Sequence, residues 1–169
     1  DDSFNIPAID WPRTARRVLT SARVQGTPVD RREALIEAGH DPLAVLEKAA
    51  RATFNQVFRD GFFHGDPHQG NLFVAGDGNI WAVDFGIMGR LDVATRRYLA
   101  EMLMGFLNGD YAAVAEVHFR AGYVPADKDR GAFPQAIRSI GEPILGLPTA
   151  EISLGRLLGQ LFQVTETLG

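Results

Sequence analysis

Hydrophobic positions along this chain change their spacing from one segment to the next, and the changes mark its elements. Residues 16–24, RRVLTSARV, are β-branched and partly alternating, the pattern of a strand, and Gln25-Gly26-Thr27-Pro28 closes it as a connector. Asp30 and Glu33 have the spacing of a capping box and Gly39 stands where a helix would stop, which predicts one short helix. Asp41-Pro42 then supplies an N-cap followed by proline at the first helical position, where its missing N–H costs nothing. Leu43, Leu46, Ala50, Phe54, Val57 and Phe58 recur at helical spacing, so this helix is expected to be long, core-facing and to end near Gly61.

Leu72-Phe73-Val74 and Ile80-Trp81-Ala82-Val83 are short apolar runs separated by Ala75-Gly76-Asp77-Gly78-Asn79, a hairpin signal. After Asp92 the helical period returns. Tyr98, Leu99, Met102, Leu103, Phe106 and Leu107 line one face up to Gly109, and Asp110 caps a second helix that stops near Gly122. Residues 125–147 read as helix interrupted by Pro134 and Pro143, and Ile152, Leu154, Leu157, Leu158, Leu161, Phe162 and Val164 form a last apolar face. The fold class expected is α+β, mostly α: one short hairpin within a helical body.

Composition narrows what such a body does. A chain of 169 residues is the size of one domain and long enough to bury a core. Its net charge of −4 lacks the basic footprint of a nucleic-acid binder, so no nucleic-acid partner is expected. Without cysteine there is no disulfide, thiolate zinc site or thiol nucleophile, and any chemistry falls to oxygen and imidazole. No run approaches 18 uninterrupted apolar residues and Asp1-Asp2-Ser3 is no secretory leader, so the chain itself is expected to be soluble.

The segment FFHGDPHQGNLF, residues 62–73, concentrates polar groups between apolar pairs and breaks them with glycine and proline. If Asp77-Gly78 form a two-residue type I′ turn, Gly76 faces Asn79, Leu72 faces Val83, and Asn71 faces Asp84. Directly opposed residues have Cβ atoms roughly 4.5–5.5 Å apart, close enough for an amide oxygen and a carboxylate to share a hard cation such as Mg2+. Asp66 would project from the loop beside them. A loop carboxylate with such a pair suits phosphoryl transfer, where catalysis is mostly positioning and charge neutralisation.

The offsets of 5 from Asp66 to Asn71 and 13 from Asn71 to Asp84 resemble the catalytic segment of protein-kinase-like enzymes, with Asp84-Phe85-Gly86 similar to their metal-binding turn. His64-Gly65-Asp66-Pro67-His68-Gln69-Gly70-Asn71, then Asp84-Phe85-Gly86-Ile87-Met88-Gly89-Arg90-Leu91, Gly109-Asp110-Tyr111 and Ala121-Gly122-Tyr123-Val124-Pro125 resemble the UbiB/ADCK family of atypical kinases across most of the chain. The resemblance implies Asp66 as the catalytic aspartate, His64 as the residue shaping the catalytic loop by packing and hydrogen bonding, and Asn71 and Asp84 as Mg2+ ligands. It implies ATP or ADP as the bound nucleotide and a role in ubiquinone biosynthesis. A lipid or quinone precursor and quinone-biosynthesis proteins are the partners implied, with peripheral or adjacent-segment membrane association at the cytoplasmic face of the bacterial inner membrane. Arg23, Val24 and Gln25 fall, by position, where the family's adenine-contacting hinge would be.

The sequence departs from the family at two places. Gln69 stands where proline is usual. More consequentially, only Lys48 and Lys128 are lysines, none precedes Gly26, and the family's lysine-glycine-glutamine segment and alanine-rich nucleotide loop are absent. The expectation is therefore a remnant of the small lobe and hinge over residues 1–26 and an incomplete kinase-like large lobe over 27–169, with little activity in isolation.

The same residues admit other readings. His64 and His68, four apart, would suit zinc on a helix, but the glycines and proline argue for a loop, in which His68 serves as a hydrogen-bonding strut. An aminoglycoside- or choline-kinase-like enzyme shares the His-Gly-Asp pattern, but Ile87-Met88-Gly89-Arg90-Leu91-Asp92 does not resemble its downstream turn. A nucleotide-sensing pseudokinase scaffold would retain the same acids. Only seven residues separate Asp84 from Asp92, too few for a long activation loop, which favours a small-molecule or lipid acceptor over a protein.

Overall fold

Two short apolar runs build the centre of the first half of the chain. In the computed structural model, which describes residues 3–66, 68–125 and 127–145, β4 (Leu72–Val74) and β5 (Ile80–Ala82) pair antiparallel, with Leu72 opposite Ala82 and Val74 opposite Ile80. Val74, Ile80 and Ala82 are buried, whereas Phe73 and Trp81, pointing to the other face, are half-buried, as the period of a strand requires. β1 (Phe4–Asn5) joins β5 in parallel and β2 (Thr27–Pro28) joins β4 antiparallel, giving the order β1-β5-β4-β2. Leu35 of α1 (Arg32–Glu37) and Val45 of α2 (Pro42–Phe54) close one core over Val74 and Ile80. A second ribbon pairs β3 (Phe62–His64) with β6 (Met88–Arg90).

Several sequence expectations change here. No strand forms over 16–24: Ala15 and Val18 exchange backbone hydrogen bonds of 2.8 and 3.0 Å in a tight reversal, leaving Val18 and Leu19 exposed with no sheet to enter. The connector residues Thr27 and Pro28 form β2 instead, and Gly26 lets the backbone pass so close that a Cβ there would lie 2.6 Å from the Val74 carbonyl oxygen. The capping box is absent, because Asp30 is held inside a turn closed by Arg31 N–H on Pro28 C=O, and Arg31 is the N-cap without a side-chain bond. Asp41 does cap α2, its side chain accepting from Leu43 N–H at 3.0 Å. The buried face of that helix is Val45 and Ala52, with Ala49 packed on the core, while Leu43 and Leu46 are exposed; the alanines allow the helix to lie close to β1 and β5.

The chain divides into two compact units, Asp1–Leu91 and Asp92–Gly169. In the second, α3 (Val93–Leu107) and α4 (Tyr111–Arg120) begin at Asp92 and Asp110, whose side chains accept from Thr95 and Ala113 N–H. Gly109, at φ +68°, turns the chain between them. Met102, Phe106, Val114, Val117, Phe133 and Ile137 are buried together with α5 (Phe133–Leu145). Pro134 begins that helix where it was expected to interrupt it, since its first turn needs no N–H at that position. The predicted apolar face at 150–168 lies outside the described residues. Helical segments with two small sheets give the α+β, mostly α class, and among the described residues no helix is long and apolar enough to cross a membrane.

Candidate functional site

Polar residues in the 62–73 segment are arranged by the ends of the elements on either side. The last turn of the second helix widens to a π-helix over Asn55–Asp60 and stops at Gly61, whose φ of +63° suits glycine. β3 then runs antiparallel to β6, with Phe63 opposite Gly89 and His64 opposite Met88. The ribbon is close-packed: a Cβ on Gly89 would come 2.4 Å from the Phe63 ring, and one on Gly65 would meet the Ile87 side chain at 2.8 Å. Beyond β3 the chain turns through Asp66, with His68 N–H on Asp66 C=O at 2.7 Å, into a 3-10 turn over Gln69–Asn71 that feeds β4.

His64 joins the two acidic segments. Its Nδ1 accepts from Asp66 N–H at 3.1 Å and its Nε2 lies 2.6 Å from the Asp84 carbonyl oxygen. A backbone N–H can only donate and a carbonyl can only accept, so this pair of partners fixes the neutral imidazole with the proton on Nε2. The ring also packs on Phe85, centroids 5.5 Å apart. His68 uses its Nδ1 on Gly70 N–H at 3.1 Å, the strut expected of it. Both histidines thus spend their Nδ1 lone pairs on backbone donors. Among the described residues no three His, Asp or Glu side chains cluster as a metal-binding set.

Asn71 and Asp84 need a correction of register. The hairpin loop holds three residues: Ala75 pairs with Asn79 through a 2.9 Å bond, Gly78 N–H returns to Ala75 C=O at 2.8 Å, and Gly78 takes φ +76°. That is a type I turn followed by a left-handed bulge residue, and not the two-residue turn predicted. Asp77 stabilises it by accepting from Asn79 N–H at 2.9 Å, and Lys48 Nζ donates to Gly78 C=O at 2.5 Å. The added loop residue shifts the pairing by one, so Val83 faces Asn71, donating its N–H to Asn71 C=O at 2.9 Å.

In an unbroken pleat that shift would turn the side chain of Asp84 to the other face. The ladder ends at Ala82, however, and Asp84 adopts φ +61°, the one non-glycine residue with positive φ among those described. Its backbone therefore leaves the pleat at the residue after Val83, and its carboxylate Oδ1 lies 3.4 Å from Gly86 N. The structure brings His64, Asp66 and Asp84 together through the imidazole, and ties Asn71 to the neighbour of Asp84. Asp66 and Asp84 are exposed to solvent.

Arg23 and Gln25 are exposed and Val24 half-buried in the segment leading to β2; among the described residues no hydrogen bond or ion pair joins them to the His64 cluster. Sequence reading missed Gln56, whose Oε1 accepts the main-chain N–H of His64 at 3.0 Å. Its signal was a polar residue between Phe54 and the Val57-Phe58 pair on a helix otherwise read only for its apolar stripe. It missed too an open cleft of about 570 Å3 walled by Phe4, Ile6, Phe62, Phe85 and Met88.

Comparison with known proteins covers this segment within a wider match. Residues 1–118 match the ABC1 atypical kinase-like domain and residues 137–169 the UbiB helical domain. A protein named probable protein kinase UbiB from Marinobacter nauticus is 42% identical over 162 residues, covering 94% of this chain and 30% of the relative. Its namesakes from Xanthomonas axonopodis pv. citri and Azotobacter vinelandii are 40% and 41% identical, over 98% and 94% of this chain. The chain spans about 30% of the length of these curated relatives.

Proposed function

This chain belongs to the ABC1 atypical kinase-like family, and from that premise we propose that it carries the catalytic loop and metal-binding turn of a UbiB-type kinase or ATPase acting on magnesium nucleotide. The observation that carries the reading is the His64 imidazole, bonded at once to the backbones of Asp66 and Asp84. One neutral side chain thereby fixes the spacing between a base and a metal ligand, the requirement of a reaction in which positioning supplies most of the rate.

Asn71 and Asp84 offer an amide oxygen and a carboxylate, the hard donors that Mg2+ prefers, and few enough that nucleotide phosphates and water complete its shell. Bound there, the ion would neutralise charge on the transferring phosphoryl group. Asp66 orients the acceptor hydroxyl or water and takes its proton, a role that contributes roughly 10²–10⁴-fold in rate. ATP or ADP is the nucleotide in this reading, with Arg23, Val24 and Gln25 beside its base.

The acceptor is a small molecule or lipid, in support of isoprenoid quinone biosynthesis, at the cytoplasmic face of the bacterial inner membrane. Support for a small acceptor comes from the seven residues between Asp84 and Asp92, which leave no room for a long activation loop. The test is magnesium-dependent nucleotide binding and turnover in a protein of the relatives' full length, with Asp66→Asn and Asp84→Asn alongside. Loss of turnover in both, with binding lost only in the second, supports the assignment. Turnover indifferent to either overturns it, and binding without turnover in the parent protein favours a nucleotide-sensing scaffold.

A further inference from the structure

The β3–β6 ribbon bonds through alternate residues: Leu91 N–H reaches Gly61 C=O and Gly65 N–H reaches Ile87 C=O, each at 2.8 Å. His64 lies between these bonding positions, so its main-chain N–H points away from β6 toward the ribbon's open edge. A half-buried N–H in that position needs an acceptor, and Gln56 Oε1 supplies it at 3.0 Å. Gln56 stands at the start of the widened turn. Gly61 N–H bonds back to Gln56 C=O, five residues earlier, so the turn holds one residue more than an α-turn. That extra residue advances the side chains after it by about 100° around the axis relative to a regular helix. Gln56 is therefore bound at both ends, its main chain closing the helix and its side chain holding the last residue of β3, from which the loop departs.

We propose that Gln56 is a positioning residue, which sets the depth of the 64–66 segment and through the His64 ring aligns Asp66 with Asp84. The chain of contacts is continuous: Gln56 side chain to His64 main chain, His64 ring to Asp66 N–H and Asp84 C=O. A slip of His64 along the open edge would lengthen both imidazole bonds together, because one rigid ring makes them. This inference rests on the reading of Asp66 and Asp84 as the working acids. Its physical content, the anchoring of His64, does not.

The experiment measures amide hydrogen exchange and amide proton shifts by NMR in this chain, comparing the parent with Gln56→Leu and Gln56→Glu. Gln56→Leu removes the acceptor, and the His64 amide is expected to exchange about tenfold faster while Gly65, bonded to Ile87, changes by less than about twofold. Gln56→Glu keeps an oxygen at the same reach and restores His64 protection. Equal exchange at His64 in all three proteins, acceleration spread evenly over the ribbon, or failure of glutamate to restore protection overturns the proposal. In a protein of the relatives' full length, Gln56→Leu should lower kcat with nucleotide affinity unchanged, and a loss confined to affinity contradicts the positioning role. Were Asp84→Asn to leave nucleotide binding intact, the functional reading would fail while the His64 amide result stood.

Discussion

Replacing Asp84 separates backbone strain from charge. At φ +61° this residue sits in the left-handed region, which costs an ordinary L-residue roughly 1–2 kcal/mol and costs asparagine and aspartate less. Asparagine keeps the local side-chain acceptor and the tolerance for that conformation, so Asp84→Asn should unfold within about 0.5 kcal/mol of the parent. Alanine loses both. Its strain, with no compensating local bond, should destabilise by about 1 kcal/mol, which for a chain of 169 residues lowers the midpoint by about 2–4 °C. Glycine removes the strain but frees the unfolded chain by about 0.4–1 kcal/mol, so Asp84→Gly should fall between alanine and the parent or slightly above it. Urea and thermal unfolding, followed by the fluorescence of Trp81 in the neighbouring strand, measure all four. Asparagine and alanine variants of equal stability would refute the claim that positive φ is felt at this residue. Magnesium nucleotide binding adds the charge term: the asparagine variant should bind as poorly as alanine despite its stability.

Two further perturbations test the packing. Gly89→Ala would drive its Cβ into the Phe63 ring 2.4 Å away, and an overpacked contact of this kind costs about 1–3 kcal/mol, read as a lower urea midpoint with the ribbon amides exchanging first. His118 is 3% exposed, bonded through Nδ1 to Val114 C=O at 2.8 Å, and burial pushes its pKa below the ordinary value. The folded second unit thus resists a proton that the unfolded chain accepts at about pH 6.5, so its stability is full above that pH and falls as pH drops toward the lowered folded value. The protection factors of the Val114 and Val117 amides, taken relative to the intrinsic rate at each pH, should fall over that window, and His118→Gln should flatten the dependence; protection indifferent to pH there contradicts the assignment.

Much of the fold around the candidate site was legible because its signals are local. Asp41, Asp92 and Asp110 are N-caps whose partners lie two or three residues away, and all three formed as the sequence indicates. The hairpin was legible for the same reason, but its register was not. Asp77-Gly78 fits either a two-residue or a three-residue loop, and the difference lies in Asp77, which would need positive φ in the two-residue turn and does not take it here, while Gly78 is left-handed in both. The apolar stripe of the second helix misled in a similar way, since Leu43 and Leu46 have the right period and yet the sheet is approached by Val45, Ala49 and Ala52. Periodicity gives the angle between residues, while the face that turns inward depends on how closely the opposing layer can come. Residues 16–24 have strand composition but form only isolated bridges, Val18 with Ala15 and Ser21 with Ile9, because the tight reversal at Ala15 and Val18 breaks the run.

The most direct test of the account replaces Mg2+ by paramagnetic Mn2+ with bound nucleotide, in a protein of the relatives' full length labelled on asparagine and aspartate. The account predicts selective broadening of the Asn71 side-chain amide and of signals from Asp84, while Asp77 and Asn79 at the hairpin tip stay sharp, and loss of that pattern in Asp84→Asn. Broadening at the hairpin tip alone, or an Asn71 signal unmoved by the ion, would contradict it.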